Sequence, residues 1–302
     1  MIGFVNSKFV VLLSIPLTFL LICIELYVGY RQQQKYYSYV DTRDNILLGI
    51  LFAGVEALLG GACLLMLMAV NNHGVHLVPT NIFVYWLSLY LLEDLIYYTM
   101  HYLDHHVRIL WAGHITHHSS DKFNFSVGVR AAIFEPVEKF FFFIPLALVG
   151  YRPIDILLIY ILSQTYGTLA HTRLIKKMGF LEYFLVTPSH HRVHHAKNIK
   201  YLDKNFGMTI ILWDKLFGTF QKEDEAHPIE FGIRKDTPYK SFMDVVTYEI
   251  KQIIKDTRQP LAIKQKLKYL FGPPGYSHDG SRQTTKQLRH HEGSNDDEIY
   301  KG

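Results

Sequence analysis

Cysteine is nearly absent from this 302-residue chain: Cys23 and Cys63 are the only two, and both lie in apolar runs. Two such thiols cannot build a cysteine-rich zinc framework or a network of disulfides, so thiol chemistry is set aside. A strong excess of one charge is also lacking, with 31 Lys and Arg against 27 Asp and Glu. The formal net charge is +4, and no run of Lys and Arg interleaves with aromatic residues, which excludes a nucleic-acid partner. No HExxH pair occurs, so the familiar helical zinc-hydrolase pattern is missing. No internal repeat is present either.

Histidine, in contrast, is concentrated. Of 17 histidines, ten fall in the 24 positions 101–118 and 190–195, where even spreading predicts about one and where a side chain of intermediate burial preference has no packing reason to cluster. Residues three and four apart share a helix face. His101 with His105, then His114 with His117 and His118, then His191 with His194 and His195 therefore present imidazoles on three helix faces. Neutral imidazole is the commonest metal ligand near neutral pH. Eight or more converging imidazoles exceed the four that one tetrahedral zinc accepts, so the count favours two metal ions. His171, in LAHTR at the end of an apolar arm, is expected to join them.

Nearly half of the residues, 49%, are hydrophobic, and their clustering reads as a membrane protein. Phe9 to Ile24 is uncharged and continues to Tyr30, long enough for a bilayer core of about 20 residues. Without a small-x-small cleavage site it reads as an uncleaved anchor rather than a signal peptide. Ile46 to Val70 carries one charge, Glu56, and should span. Glu56 is either functional at depth or protonated and hydrogen-bonded to a neighbouring helix. The loop Arg31 to Arg43 is basic and Asn71 to Thr80 is not, which places the first in the cytoplasm and the second outside. A third helix from about Asn81 then delivers the first histidine box to the cytoplasmic side.

Glu93 and Asp94 interrupt that helix, and Asp94 lies about two turns before His101. A carboxylate on the far nitrogen of a ligating histidine fixes its tautomer, so Asp94 and Asp214 are candidate orienters; ion-paired or core acids are the plain alternative. Arg130 and Lys139 are headgroup-contact candidates. Phe140 to Tyr151 and Ile154 to Ala170 are short arms, either tilted or re-entrant. Pro188 and Ser189 suit a helix start before the last box, with Ser189 as a cap. Asp203 to Phe220 reads as a lid or packing wall. Residues 221–270 are amphipathic and suit the membrane face. The polar residues from His278 read as disordered.

These motifs resemble the fatty acid hydroxylase and sterol desaturase superfamily, whose pattern of three histidine boxes is met by His101-x3-His105, His114-x2-His117-His118 and His191-x2-His194-His195. The runs LWAGHITHHSSDKFNFSVGVR, TPSHHRVHHAKN and DKNFGMTIILWDKLFGTF are similar to the alkylglycerol monooxygenase branch and its bacterial relatives, from about Trp86 to Gly232. His106 stands where an acid often follows the first box in that branch. The resemblance implies an all-α, polytopic membrane helix bundle with a cytosolic helical cap carrying a dimetal site. It also implies two iron ions, O2, a lipid substrate and an electron donor, with tetrahydrobiopterin as one reductant. Iron comes from the resemblance, since imidazole suits Fe, Zn, Cu and Ni alike.

The expected organisation is N-terminal membrane helices at 1–80, a catalytic core at 81–235, an amphipathic segment at 236–277 and the polar tail at 278–302. The protein is placed in a bacterial inner membrane or the endoplasmic reticulum, with its boxes facing the cytoplasm. Hydroxylation, desaturation and ether cleavage are not separated by these residues. Rival readings are a metal transporter or sensor, a zinc-dependent membrane hydrolase and a haem protein. Their ligands would lie at mid-membrane depth, beside an open metal position with a Glu base, or as a few matched histidines.

Overall fold

The computed structural model describes residues 7–132, 134–234, 239 and 241–299. Among them the regular structure is helical, with two isolated antiparallel bridges, Leu185 to Ile210 and Ala196 to Phe231. The apolar runs become α1 (Ser7–Arg31) and α2 (Tyr39–Asn72). Ser38 Oγ accepts the Asp41 N–H at the start of α2, satisfying one of the amide donors a first turn leaves free. Among the described residues α2, with 34, is the one helix long and apolar enough to cross a membrane.

The third apolar run forms α3 (Ile82–His106), capped by Asn81 Oδ1, which accepts from the Phe83 and Val84 amides. Glu93 and Asp94 interrupt its apolar character and are fully buried against the rest of the bundle. At Val107 the chain turns into α4 (Arg108–His118). The two short arms become α5 (Glu135–Val149) and α6 (Pro153–Leu169), an antiparallel hairpin. Gly150 makes its turn at a φ of +114°, and a Cβ there would come within 2.5 Å of the His76 Cα. The loop after α2 clamps this turn: Val75 and Leu77 donate to the Leu148 and Val149 carbonyls, and Asn71 Nδ2 donates to the Ala147 and Tyr151 carbonyls.

A single core of Leu67, Leu89, Met100, Phe143, Leu146 and Ile156 joins α2, α3, α5 and α6, and α1 lies on α6. Glu25, fully buried in α1, accepts from Tyr37 Oη at 2.6 Å, the Phe125 amide at 2.8 Å and Thr172 Oγ1 at 2.5 Å. It thereby ties α1 to the loops around the histidines. The last histidine box forms α7 (Pro188–His194).

Thr187, not Ser189, is the N-cap of α7. Pro188 takes the first helical position, while Ser189 Oγ donates to Glu223 at 2.8 Å. α8 (Leu212–Phe217) follows, then α9 (Phe242–Thr257) and α10 (Ile263–Phe271). α9 docks on α4 through the buried Arg108, which donates to Glu249 at 2.6 Å and Asp256 at 2.7 Å. The polar residues from His278, expected to be disordered, are helical over α11 (Thr285–Ile299), and the Arg289 guanidinium reaches the Leu202 carbonyl. The expected boundary at 235/236 lies outside the described residues.

Candidate metal centre

Histidines spaced by four on α3 and α4 stack one above the other, and α7 meets them from the opposite side. All nine singled-out histidines come together in two groups, each with ligand atoms mutually within 4.8 Å: His101, His105, His114, His118 and His194, and beside them His117, His171, His191 and His195. Each later box is split. The pair 114/118 serves one group while His117 turns to the other; the pair 191/195 serves the second while His194 turns to the first. His118 and His195 stack across the divide with ring centroids 4.4 Å apart.

The outward nitrogens are fixed by the surroundings. Nδ1 of His101 lies 2.8 Å from the Phe206 carbonyl oxygen, that of His194 3.0 Å from Lys204 O, and that of His105 3.3 Å from an Asp203 carboxylate oxygen. In the second group, His117 Nδ1 is 2.5 Å from Arg130 O and His171 Nδ1 is 2.8 Å from Gly167 O. An oxygen acceptor requires Nδ1 to carry the proton, which leaves the Nε2 lone pair facing inward.

Three of these acceptors belong to one loop, residues 203–207. Asp203 and Asn205 adopt left-handed φ of 48° and 57°, a conformation that costs a non-glycine residue energy and persists only where its surroundings enforce it. The Asn205 side chain is held by the His190 and Gln221 carbonyls and the Gln221 amide.

Asp214 accepts from the Phe206 and Gly207 amides at 2.8 Å each and from Thr219 Oγ1 at 2.7 Å. It touches no histidine and positions His101 at one remove, through the loop backbone. Asp94 likewise binds no histidine. Its oxygens accept from the Thr209 and Ile210 amides, the Thr209 hydroxyl and Trp213 Nε1, pinning α3 to the chain just beyond the loop. The carboxylates nearest the imidazoles are Asp203 and Asp104, whose Oδ2 is 3.7 Å from His114 Nδ1. Neither was singled out from sequence, although both lie within ten residues of a box.

Burial, reinforced by neighbouring imidazoles, holds His114, His118, His194 and His195 well below the ordinary histidine range. His117 is pushed down to about 4, again chiefly by burial. The imidazoles are thus neutral at pH 7, the form that binds metal.

The arrangement fits metal ions. Within the groups Nε2 atoms face one another at 2.9–3.4 Å. Inward lone pairs that close repel unless a cation lies among them, and ligands about 2.1 Å from one metal naturally approach this spacing. His194 Nε2 is buried without any hydrogen-bond partner, an orphan that a metal would satisfy.

A cavity of about 880 Å³ opens on this centre. His101 and His114 of the first group and His117, His171 and His191 of the second line one end, and Phe19, Ile22, Phe52 and Ala53 of α1 and α2 line the other. Glu56 is on its wall, ion-paired with Lys139 at 2.6 Å, which makes it an α2–α5 contact. Arg130 is fully buried, with Asp41 3.6 Å away. Outside the centre, His106 stacks on Tyr102 at 3.9 Å and His190 receives the Thr187 amide. His278 hydrogen-bonds the Tyr269 hydroxyl at 2.7 Å.

Fold and site define a helical protein with a paired polyhistidine centre at the end of an apolar cavity. Residues 86–219 match the fatty acid hydroxylase family model, the family its histidine boxes resemble. It is 41% identical over 151 residues to alkylglycerol monooxygenase from Homo sapiens, covering 48% of this chain and 34% of that one. Against the Danio rerio alkylglycerol monooxygenase the figures are 39% over 166 residues, 53% and 36%. With the ornithine lipid hydroxylase OlsE of Rhizobium tropici it shares 30% identity over 141 residues, 45% of this chain and 41% of the relative. The matched part thus spans little more than a third of the alkylglycerol monooxygenases. No solved structure matches.

Proposed function

We propose that the protein is an integral membrane oxidoreductase that uses O2 to oxidise a lipid C–H bond at a di-iron centre held by the nine histidines. The observation that carries this reading is the cavity that runs from α1 and α2 to both histidine groups. A lipid chain entering from the bilayer meets apolar walls along that path and imidazoles at its end.

Bound iron would supply the reductive activation of O2. The protein's own part is positional. The loop 203–207 and the Arg130 and Gly167 carbonyls hold the imidazoles in one tautomer, and Phe123, fully buried and stacked on His171 at 5.5 Å, helps to keep water from the second group. Hydroxylation places one oxygen atom in the C–H bond and releases the other as water, consuming two electrons and two protons, so an electron donor is required. Five imidazoles in one group exceed the four that tetrahedral zinc takes, which favours iron over a zinc hydrolase.

The names of the relatives point to an alkylglycerol or an amino-acid lipid as substrate, with ether cleavage or hydroxylation as the reaction. We place α1, α2 and α3 across the membrane with the histidines on the cytoplasmic side. The core extends over 81–235, with 236–277 on the membrane face.

The test uses one variant from each group. His194→Ala and His191→Ala should each reduce bound metal from two equivalents to about one and lower turnover at least a hundredfold, both measured on detergent-purified protein. Full turnover in either variant would refute the assignment.

A further inference from the structure

The five-histidine group lies between two cavities of similar size but opposite character. The apolar one touches His101 and His114. A second, of about 860 Å³, touches the remaining three members, His105, His118 and His194. Of these two cavities the four-histidine group meets only the apolar one. His117, His171 and His191 line the apolar cavity alone, and His195 lines neither.

The walls of the second cavity are polar. They include Arg108 and Trp111 of α4, Asp203, Gln252 of α9, and a stretch of the chain between Pro274 and Leu288 that contributes Ser281, Arg282, Gln283 and Thr285. A hydrocarbon chain would strip water from these groups without offering them hydrogen bonds, which is unfavourable, whereas a hydrophilic ligand replaces the water. None of the lining comes from α1, α2, α5 or α6, so the cavity belongs to the cap and not to the apolar bundle.

Its C-terminal wall is firmly built. The Arg108 amide donates to the Gly272 carbonyl at 3.0 Å, and the Arg108 and Arg282 guanidinium groups both bond the same Asp256 oxygen at 2.7 Å. Gly275, at a φ of +80°, lets the chain fold back so closely that a Cβ there would strike the Gln283 carbonyl.

We propose that this polar cavity is a second ligand site, through which small hydrophilic molecules from the aqueous phase reach the five-histidine group, while the four-histidine group is reached only from the apolar cavity. The inference rests on the metal reading above. It gives the two metal positions different partners, with water-borne ligands on one and the lipid side shared by both. It also gives the segment 272–288 a task that its polar composition does not announce: it forms the aqueous mouth of the site.

The experiment is metal release from the full-length, iron-loaded protein in detergent under anaerobic conditions, with EDTA as the hydrophilic chelator and bound iron followed in time. Two phases of about one equivalent each are expected, the faster from the five-histidine group and at least tenfold faster than the other. Gly275→Ala, which opens the wall, should speed the fast phase about tenfold and leave the slow phase unchanged. Arg282→Gln, which loosens the same wall without backbone strain, should act in the same direction. Two metals leaving at a single rate, or a fast phase unmoved by Arg282→Gln in folded protein, would overturn the two-route inference alone. Protein that binds no iron with all nine histidines intact would instead overturn the metal reading.

Discussion

Asp214 lies outside both histidine groups, yet the account gives it control over one of their members. It holds the Phe206 and Gly207 amides, and the Phe206 carbonyl in turn sets the His101 ring. Asp214→Ala would leave two buried N–H groups without partners at about 1–3 kcal/mol each, so a stability loss of about 3 kcal/mol is expected in chemical denaturation. Loss of an outer partner of a ligating histidine typically weakens metal binding about 10–100-fold, and a chelator-buffered titration should show that loss. His106→Ala is the contrasting case. That ring stacks on Tyr102 and belongs to neither group, so metal content should be unchanged and stability should move by no more than about 0.5 kcal/mol. The singled-out histidines are legible because helical spacing acts on residue type, and imidazole is a rare, informative type. The acceptors on their outer nitrogens are not legible, because four of them are backbone carbonyls, of Phe206, Lys204, Arg130 and Gly167, which every residue carries.

Among the elements, the α5–α6 hairpin shows how local signals fix a turn but not its partners. Gly150 and Pro153 mark the turn in the sequence. Nothing there announces that His76 packs against Gly150 or that Asn71 supplies two hydrogen bonds to the turn. Gly150→Ala places a side chain both in the left-handed region and against the His76 backbone, and strain of this kind costs about 1–3 kcal/mol. The melting temperature of the purified variant should fall accordingly. An unchanged melting temperature would show that the loop after α2 is not clamped there. The tail is a different kind of miss. Composition from His278 onward reads as disorder, but α11 is anchored from outside its own sequence, through Arg289 on Leu202 and through the Asp256 network that fixes the preceding segment. Long-range ion pairs leave no periodic trace in the segment they hold.

For the whole molecule, the division of labour follows from chemistry already visible in the chain. Apolar helices line most of one cavity, and histidine-bearing helix ends line the rest of it. The polar cap covers the far side, and its own cavity meets the five-histidine group. One helix, α2, meets the length and composition needed to cross a membrane among the described residues. The interruption of α3 by Glu93 and Asp94 explains why hydropathy weakens as the chain approaches the site: both carboxylates are spent on the bundle, Glu93 on Ser163 and Asp94 on the 209–213 turn. The measurement that tests the central claim most directly is lipid analysis of cells expressing the wild type or His194→Ala under 18O-labelled dioxygen. The account predicts a lipid carrying one labelled oxygen atom in the wild type alone. Identical, unlabelled lipids in both strains, with the wild-type protein folded, iron-loaded and supplied with a reductant, would contradict it.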